Sequence, residues 1–87
     1  MPSNIKVYML DKPVSVSVIR GICKTQKFSF VQSSSTTYYI MDKTKNRVEV
    51  LVNDNEEVFE LLYFNTLYDG DNIINALSET LSLRKEQ

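Results

Sequence analysis

Hydrophobic positions recur with a period of two through most of the first 52 residues, and that period predicts strands. Ile5, Val7 and Met9 interleave with Lys6, Tyr8 and Leu10 before Asp11-Lys12-Pro13, whose composition suits a turn, so a first strand ends there. Val14, Val16 and Val18 then alternate with Ser15 and Ser17, which favours a second strand pairing back on the first. Residues 14–23 also hold a helical alternative: Val14, Val18, Ile19, Ile22 and Cys23 fit one stripe, with Pro13 suited to a first helical position. The alternating serines and the β-branching favour the strand. Lys27 to Val31 and Thr37 to Met41 make two more strands, separated by the polar run Gln32-Ser33-Ser34-Ser35-Thr36, which reads as a hairpin loop. Asp42-Lys43-Thr44-Lys45-Asn46 supplies a further turn, after which Val48, Val50 and Val52 alternate with Arg47, Glu49 and Leu51.

Beyond Val52 the period changes. Asp54 followed by Glu57 approximates a capping box and predicts a helix over residues 55–66. Its apolar residues Val58, Phe59, Leu61, Leu62, Tyr63 and Phe64 nearly encircle it, so it should be largely buried. Asp69-Gly70-Asp71 breaks that segment, and Asp71 caps a last helix in which Ile73, Ile74, Leu77 and Leu81 share a face and Arg84 and Lys85 occupy the C-terminal end. The expectation is an α+β fold: an antiparallel meander of four to five strands followed by two C-terminal helices packed on one face.

Length and composition narrow this further. A chain of 87 residues suits a single domain over 1–87, with a strand-rich part over 1–53 and a helical part over 54–87. No apolar run approaches the ~20 residues of a membrane span, and the start lacks a signal-peptide pattern, so no membrane partner is expected. Cys23 is the only cysteine and cannot close an intramolecular disulfide, which suits a cytoplasmic, reducing location. Histidine is absent, removing the commonest Zn ligand and any Ser-His or Cys-His dyad. With only Gly21 and Gly70, the chain has no Gly-rich phosphate loop. Asp69-Gly70-Asp71-Asn72 superficially resembles a calcium loop, but Ile73, Ile74 and Thr80 fall where further ligands and the obligatory glycine should be. Cys23 beside Lys24 could be an activated thiol, yet its apolar neighbour Ile22 favours a buried role. No catalytic residue, cofactor or metal is expected, and the chain should not be an enzyme.

Charge is split along the chain. Residues 1–47 carry eight Lys/Arg and two Asp/Glu, whereas residues 48–87 carry nine Asp/Glu and two Lys/Arg. Part of the acid suits helix starts, and exposed pairs between the halves would each contribute only ~0 to 1 kcal/mol. Two readings of function remain. In the preferred one, the chain is a small protein-interaction module, such as an inhibitor, adaptor or regulatory subunit, of a size that also suits a viral or mobile-element accessory protein. Its contact would comprise Leu10, Ile19, Val31, Leu51, Glu56, Glu57, Glu60, Tyr63 and Tyr68, its partner being another protein and most simply a second copy in a homodimer. In the alternative, Tyr8, Lys27, Tyr38, Tyr39, Lys43, Lys45 and Arg47 form a basic, aromatic sheet face for single-stranded nucleic acid.

Overall fold

The computed structural model describes residues 4–86. A long strand, β1 (Ile5–Ser15), runs directly into helix α1 (Val16–Gln26). Four strands follow, β2 (Ser29–Gln32), β3 (Thr37–Met41), β4 (Arg47–Val52) and β5 (Glu57–Phe64), then α2 (Asp71–Ser78) and β6 (Leu83–Lys85). All six strands join one antiparallel sheet in the order β2-β3-β4-β5-β1-β6. The α+β class, the antiparallel sheet, its meander and the presence of two helices agree with the hydrophobic pattern. The placement of the helices does not.

The first correction concerns residues 14–23, which are helical from Val16 onward. Ser15 caps this helix, its Oγ accepting from the Ser17 amide at 3.3 Å. Val16, Ile19 and Cys23 then fall on one buried face, and seating them on the sheet outweighs the β-propensity of the valines. Asp11-Lys12-Pro13 is likewise an irregularity within β1 and not a turn. Pairing with β5 jumps from Met9↔Glu60 to Val14↔Val58, and Pro13, which has no N–H to offer a ladder, sits in the excluded stretch.

The second correction concerns residues 55–66. Residues 57–64 form β5, which lies between β4 and β1 in the sheet interior. Apolar residues on both sides of a segment suit an interior strand as well as a buried helix. The third concerns the C terminus: α2 ends at Ser78, Leu81 is buried just after it, and Arg84 and Lys85 belong to the edge strand β6. Asp71 lies in the first turn of α2 and not at its cap, which is Gly70. The acidic segment 54–87 is therefore only partly helical.

Both helices cover one face of the sheet. Tyr38, Ile40, Val48, Val50, Val52, Val58, Leu61 and Tyr63 point into that layer and meet Ile19, Cys23, Ile73, Ile74 and Leu77. Because Tyr8 pairs with Leu61 and Lys6 with Tyr63, the residues of β1 that look toward the helices are Lys6, Tyr8 and Leu10. Ile5, Val7 and Met9 are left on the opposite face.

Candidate interaction face

The sheet face away from the helices has no covering layer among the described residues. Its positions alternate with the buried ones: Val31 on β2, Tyr39 and Met41 on β3, Leu51 on β4, Leu62 and Phe64 on β5, and Ile5, Val7 and Met9 on β1. Val31 is 48% exposed and Phe64 37%, and the others are half-buried, whereas Val48, Val50, Val58 and Leu61 on the covered side are 0% exposed. Phe59, the extra residue where β5 slips against β4, is also half-buried. An apolar array spanning five strands is larger than the scattered exposed hydrophobics of an ordinary surface.

Charges on this face are graded along the strands. Arg47 opens β4 at one end of the sheet, Glu49 follows it, and Glu60, opposite Leu51, and Glu57 lie toward the other end. Arg47 lies over two rings, its guanidinium carbon 4.5 Å from the Tyr39 centroid and 4.3 Å from that of Tyr68, and it donates to the Tyr68 hydroxyl at 2.5 Å. Stacking of this kind holds a cation over apolar surface without an anionic partner. Among the described residues Arg47, Glu49 and Glu60 form no ion pair; the pairs are Lys6–Asp71, Arg84–Asp11 and Arg84–Glu86.

The turns extend the gradient into two ends of opposite sign. At the end where β3 turns into β4, Lys27 and Lys43 line one shallow cleft, and Lys43, Lys45 and Arg47 line the next, beside Tyr68. Lys27 is the left-handed C-cap of α1, with its N–H directed at the Cys23 and Lys24 carbonyls. The acids at this end are engaged locally. Burial works against ionisation of Asp42, but hydrogen bonds from Thr44 and Asn46 hold its carboxyl below the usual range. The Asp71 carboxylate accepts from the Tyr63 hydroxyl and from Lys6, and Asp69 accepts from the Asp71 amide. At the opposite end, Asp54, Glu56 and Glu57 cluster in and beside the β4–β5 turn.

The residues proposed from sequence divide cleanly. Val31, Leu51, Glu57 and Glu60 share the open face, Glu56 stands in the adjacent turn with φ of 57°, and Tyr68 reaches it through Arg47. Leu10, Ile19 and Tyr63 are core residues, at 6%, 0% and 2% exposure. Of the second set, Tyr39, Lys43, Lys45, Arg47 and Lys27 gather at the basic end. Tyr38 is buried, stacked on Phe30 at 4.9 Å, and Tyr8 packs beside the core under the helices. Sequence reasoning missed Ile5, Val7, Met9, Leu62 and Phe64 as surface candidates. The alternation of Glu60, Leu62 and Phe64 with Leu61 and Tyr63 was the available signal, masked by the helical reading of the same segment.

Burial pushes the Cys23 thiol up to about 11 despite the nearby Arg20, which leaves it protonated and shielded at neutral pH. No group of three or more acidic, cysteine or histidine side chains converges among the described residues, and none of the helices described there is long and apolar enough to cross a membrane. Compared with known proteins, the chain matches no family model, and no curated protein or solved structure is significantly similar to it.

Proposed function

We propose that this chain is a non-catalytic protein-interaction module, acting as an inhibitor, adaptor or regulatory subunit through the open face of its sheet. The observation that carries this reading is the apolar array from Val31 across Leu51 and Leu62 to Val7, left uncovered while the other face is buried to 0% at its centre. An apolar centre with charges at its margins is the anatomy of a protein contact. The single protonated thiol suits a reducing compartment such as the cytoplasm.

The test compares the intact protein with Leu62→Lys and with Asn75→Ala, the latter changing an exposed position of α2. Binding of a protein, or self-association, should be lost in Leu62→Lys and kept in Asn75→Ala, with native circular dichroism in both. Equal binding by all three would sink the assignment of the face.

Nucleic acid is the second reading, favoured by one cluster: Tyr39, Lys43, Lys45 and Arg47 gathered at one end. It is the weaker reading because Glu49, Glu57 and Glu60 occupy the path a strand of phosphates would follow across the sheet. A mobility shift with mixed single-stranded oligonucleotides at low salt that disappears in Arg47→Ala would favour it over the protein contact.

A further inference from the structure

We infer that a second copy of this chain covers the open face with its strands reversed, so that the basic end of each copy lies over the acidic end of the other. This rests on the preceding reading that the open face is a protein contact, and it names the partner and its orientation.

A twofold dimer uses the same patch on both copies, so the patch must complement itself. An apolar centre meets that condition at once. The charges decide the direction. Arg47 lies half-buried at one end of the face without an acidic partner, and Glu49 and Glu60 lie half-buried further along it without a basic one. Two sheets packed face to face keep their strands within about 30° of a common line. Their twofold axis lies in the interface and runs either along the strands or across them. An axis along the strands sets Lys43, Lys45 and Arg47 against the same end of the other copy, where like charges repel. An axis across the strands sets them against Glu60, Glu57 and the turn that carries Asp54 and Glu56. Only the second arrangement gives Arg47 and Glu60 the partners that each lacks within its own chain. Other occupants fit less well: an anionic polymer or anionic membrane surface meets the glutamates, and a purely acidic partner meets them too.

The experiment is sedimentation of the full chain over a range of concentrations, joined to zero-length carbodiimide cross-linking of an equal mixture of light and 15N-labelled protein. Lys45 and Glu56 stand beyond opposite ends of β4, whose six residues alone extend roughly 17 Å, so a direct amide between them cannot form within one chain. Expected are a dimer, mixed-isotope cross-links joining Lys43 or Lys45 to Asp54, Glu56 or Glu57, and an affinity that falls by about tenfold or more as salt is raised through the physiological range. Val31→Lys and Leu62→Lys should both yield monomers with native circular dichroism. The double change Lys43→Glu with Lys45→Glu should weaken the dimer, and adding Asp54→Lys and Glu56→Lys should restore it.

A strict monomer at low salt, a dimer cross-linked only between like ends, or a dimer indifferent to both open-face lysines would each overturn the inference. These outcomes separate it from the broader assignment: a monomer that binds another protein through Leu62 retains the interaction face and removes only the second copy.

Discussion

Gly70 has ordinary right-handed backbone angles, φ −87° and ψ 2°, so conformational freedom is not what reserves it for glycine. Space is. A Cβ there would lie 2.7 Å from Tyr63 Cδ1 and 2.7 Å from Val48 Cγ2, in the layer that joins α2 to the sheet. Gly70→Ala should therefore destabilise the protein by ~1 to 3 kcal/mol through overpacking, whereas Gly21→Ala, in α1 with open space around it, should stabilise by ~0.5 to 1 kcal/mol. Urea midpoints moving in opposite directions would establish the contrast. Beside Gly70, Asp71 titrates below its ordinary value, chiefly because the Tyr63 hydroxyl donates to its carboxylate, with Lys6 adding to the effect against some desolvation. A carboxylate whose folded-state pKa is depressed contributes stability that is complete above its unfolded value of 3.8 and is lost as the pH falls through the lower folded value. Unfolding midpoints should thus drop below about pH 4, and drop less steeply in Asp71→Asn. Asp42 titrates low as well, so a residual acid slope should persist in that variant. Gly70 was visible in sequence as a break, but a close approach by Val48 and Tyr63 is long-range information that local composition does not contain.

At the scale of elements, two five-residue segments show why one turn was legible and its neighbour was not. In Asp42-Lys43-Thr44-Lys45-Asn46, Asp42 accepts from the amides of Thr44 and Asn46, and Lys45 adopts a left-handed φ of 68°. In Asn53-Asp54-Asn55-Glu56-Glu57, Asn53 accepts from the amides of Asn55 and Glu57, and Glu56 adopts a φ of 57°. The backbone bonds correspond as well, Asp42 N–H to the Asn46 carbonyl and Asn53 N–H to the Glu57 carbonyl. These are the same hairpin turn built twice. The Asp42 turn is recognisable because alternating valines follow it, whereas the Asn53 turn mimics a helix cap because Glu57 and a continuous apolar run follow it. Its match to the Asp42 turn is the signal that identifies β5. Asn53→Ala should cost ~1 kcal/mol by removing the acceptor, and Glu56→Gly should return ~0.5 to 1 kcal/mol by relieving the left-handed residue. Thermal unfolding of both variants beside Asp42→Ala, which should match Asn53→Ala in sign, tests the equivalence. Helix α1 was obscured by a different conflict: β-branched residues at 14, 16 and 18 favour a strand locally, while burial of Ile19 and Cys23 on the sheet settles the matter from a distance.

For the whole molecule, the division of charge along the chain becomes a division between two ends of the sheet, although strands that alternate in direction do not require this. It arises because the basic residues sit at α1's C terminus and the β3–β4 turn, whereas the acids concentrate at the β4–β5 turn. The exceptions are Asp42, Asp69 and Asp71, placed at the basic end and engaged there by local hydrogen bonds and by Lys6, and Arg20, which lines a shallow cleft with Glu56 at the acidic end. The layering was legible on β4, whose alternating Val48, Val50 and Val52 all lie beneath the helices, and illegible on β1, where an irregularity interrupts the strand and both faces carry apolar residues. The two sides of β4 therefore make the sharpest test of the architecture. Val50 is 0% exposed beneath the helices, and truncating it should cost ~2 kcal/mol by leaving a cavity among neighbours that cannot collapse. Leu51, its neighbour on the open face, is only half-buried, so Leu51→Ala should cost under ~1 kcal/mol in dilute solution despite removing more atoms. The cost of Leu51→Ala should then grow with protein concentration if a partner copy covers it, because association adds to the stability of the folded state alone. Urea unfolding of both variants at two concentrations reads out the two quantities together. A Leu51 penalty equal to that of Val50 in dilute solution would show a sheet covered on both faces.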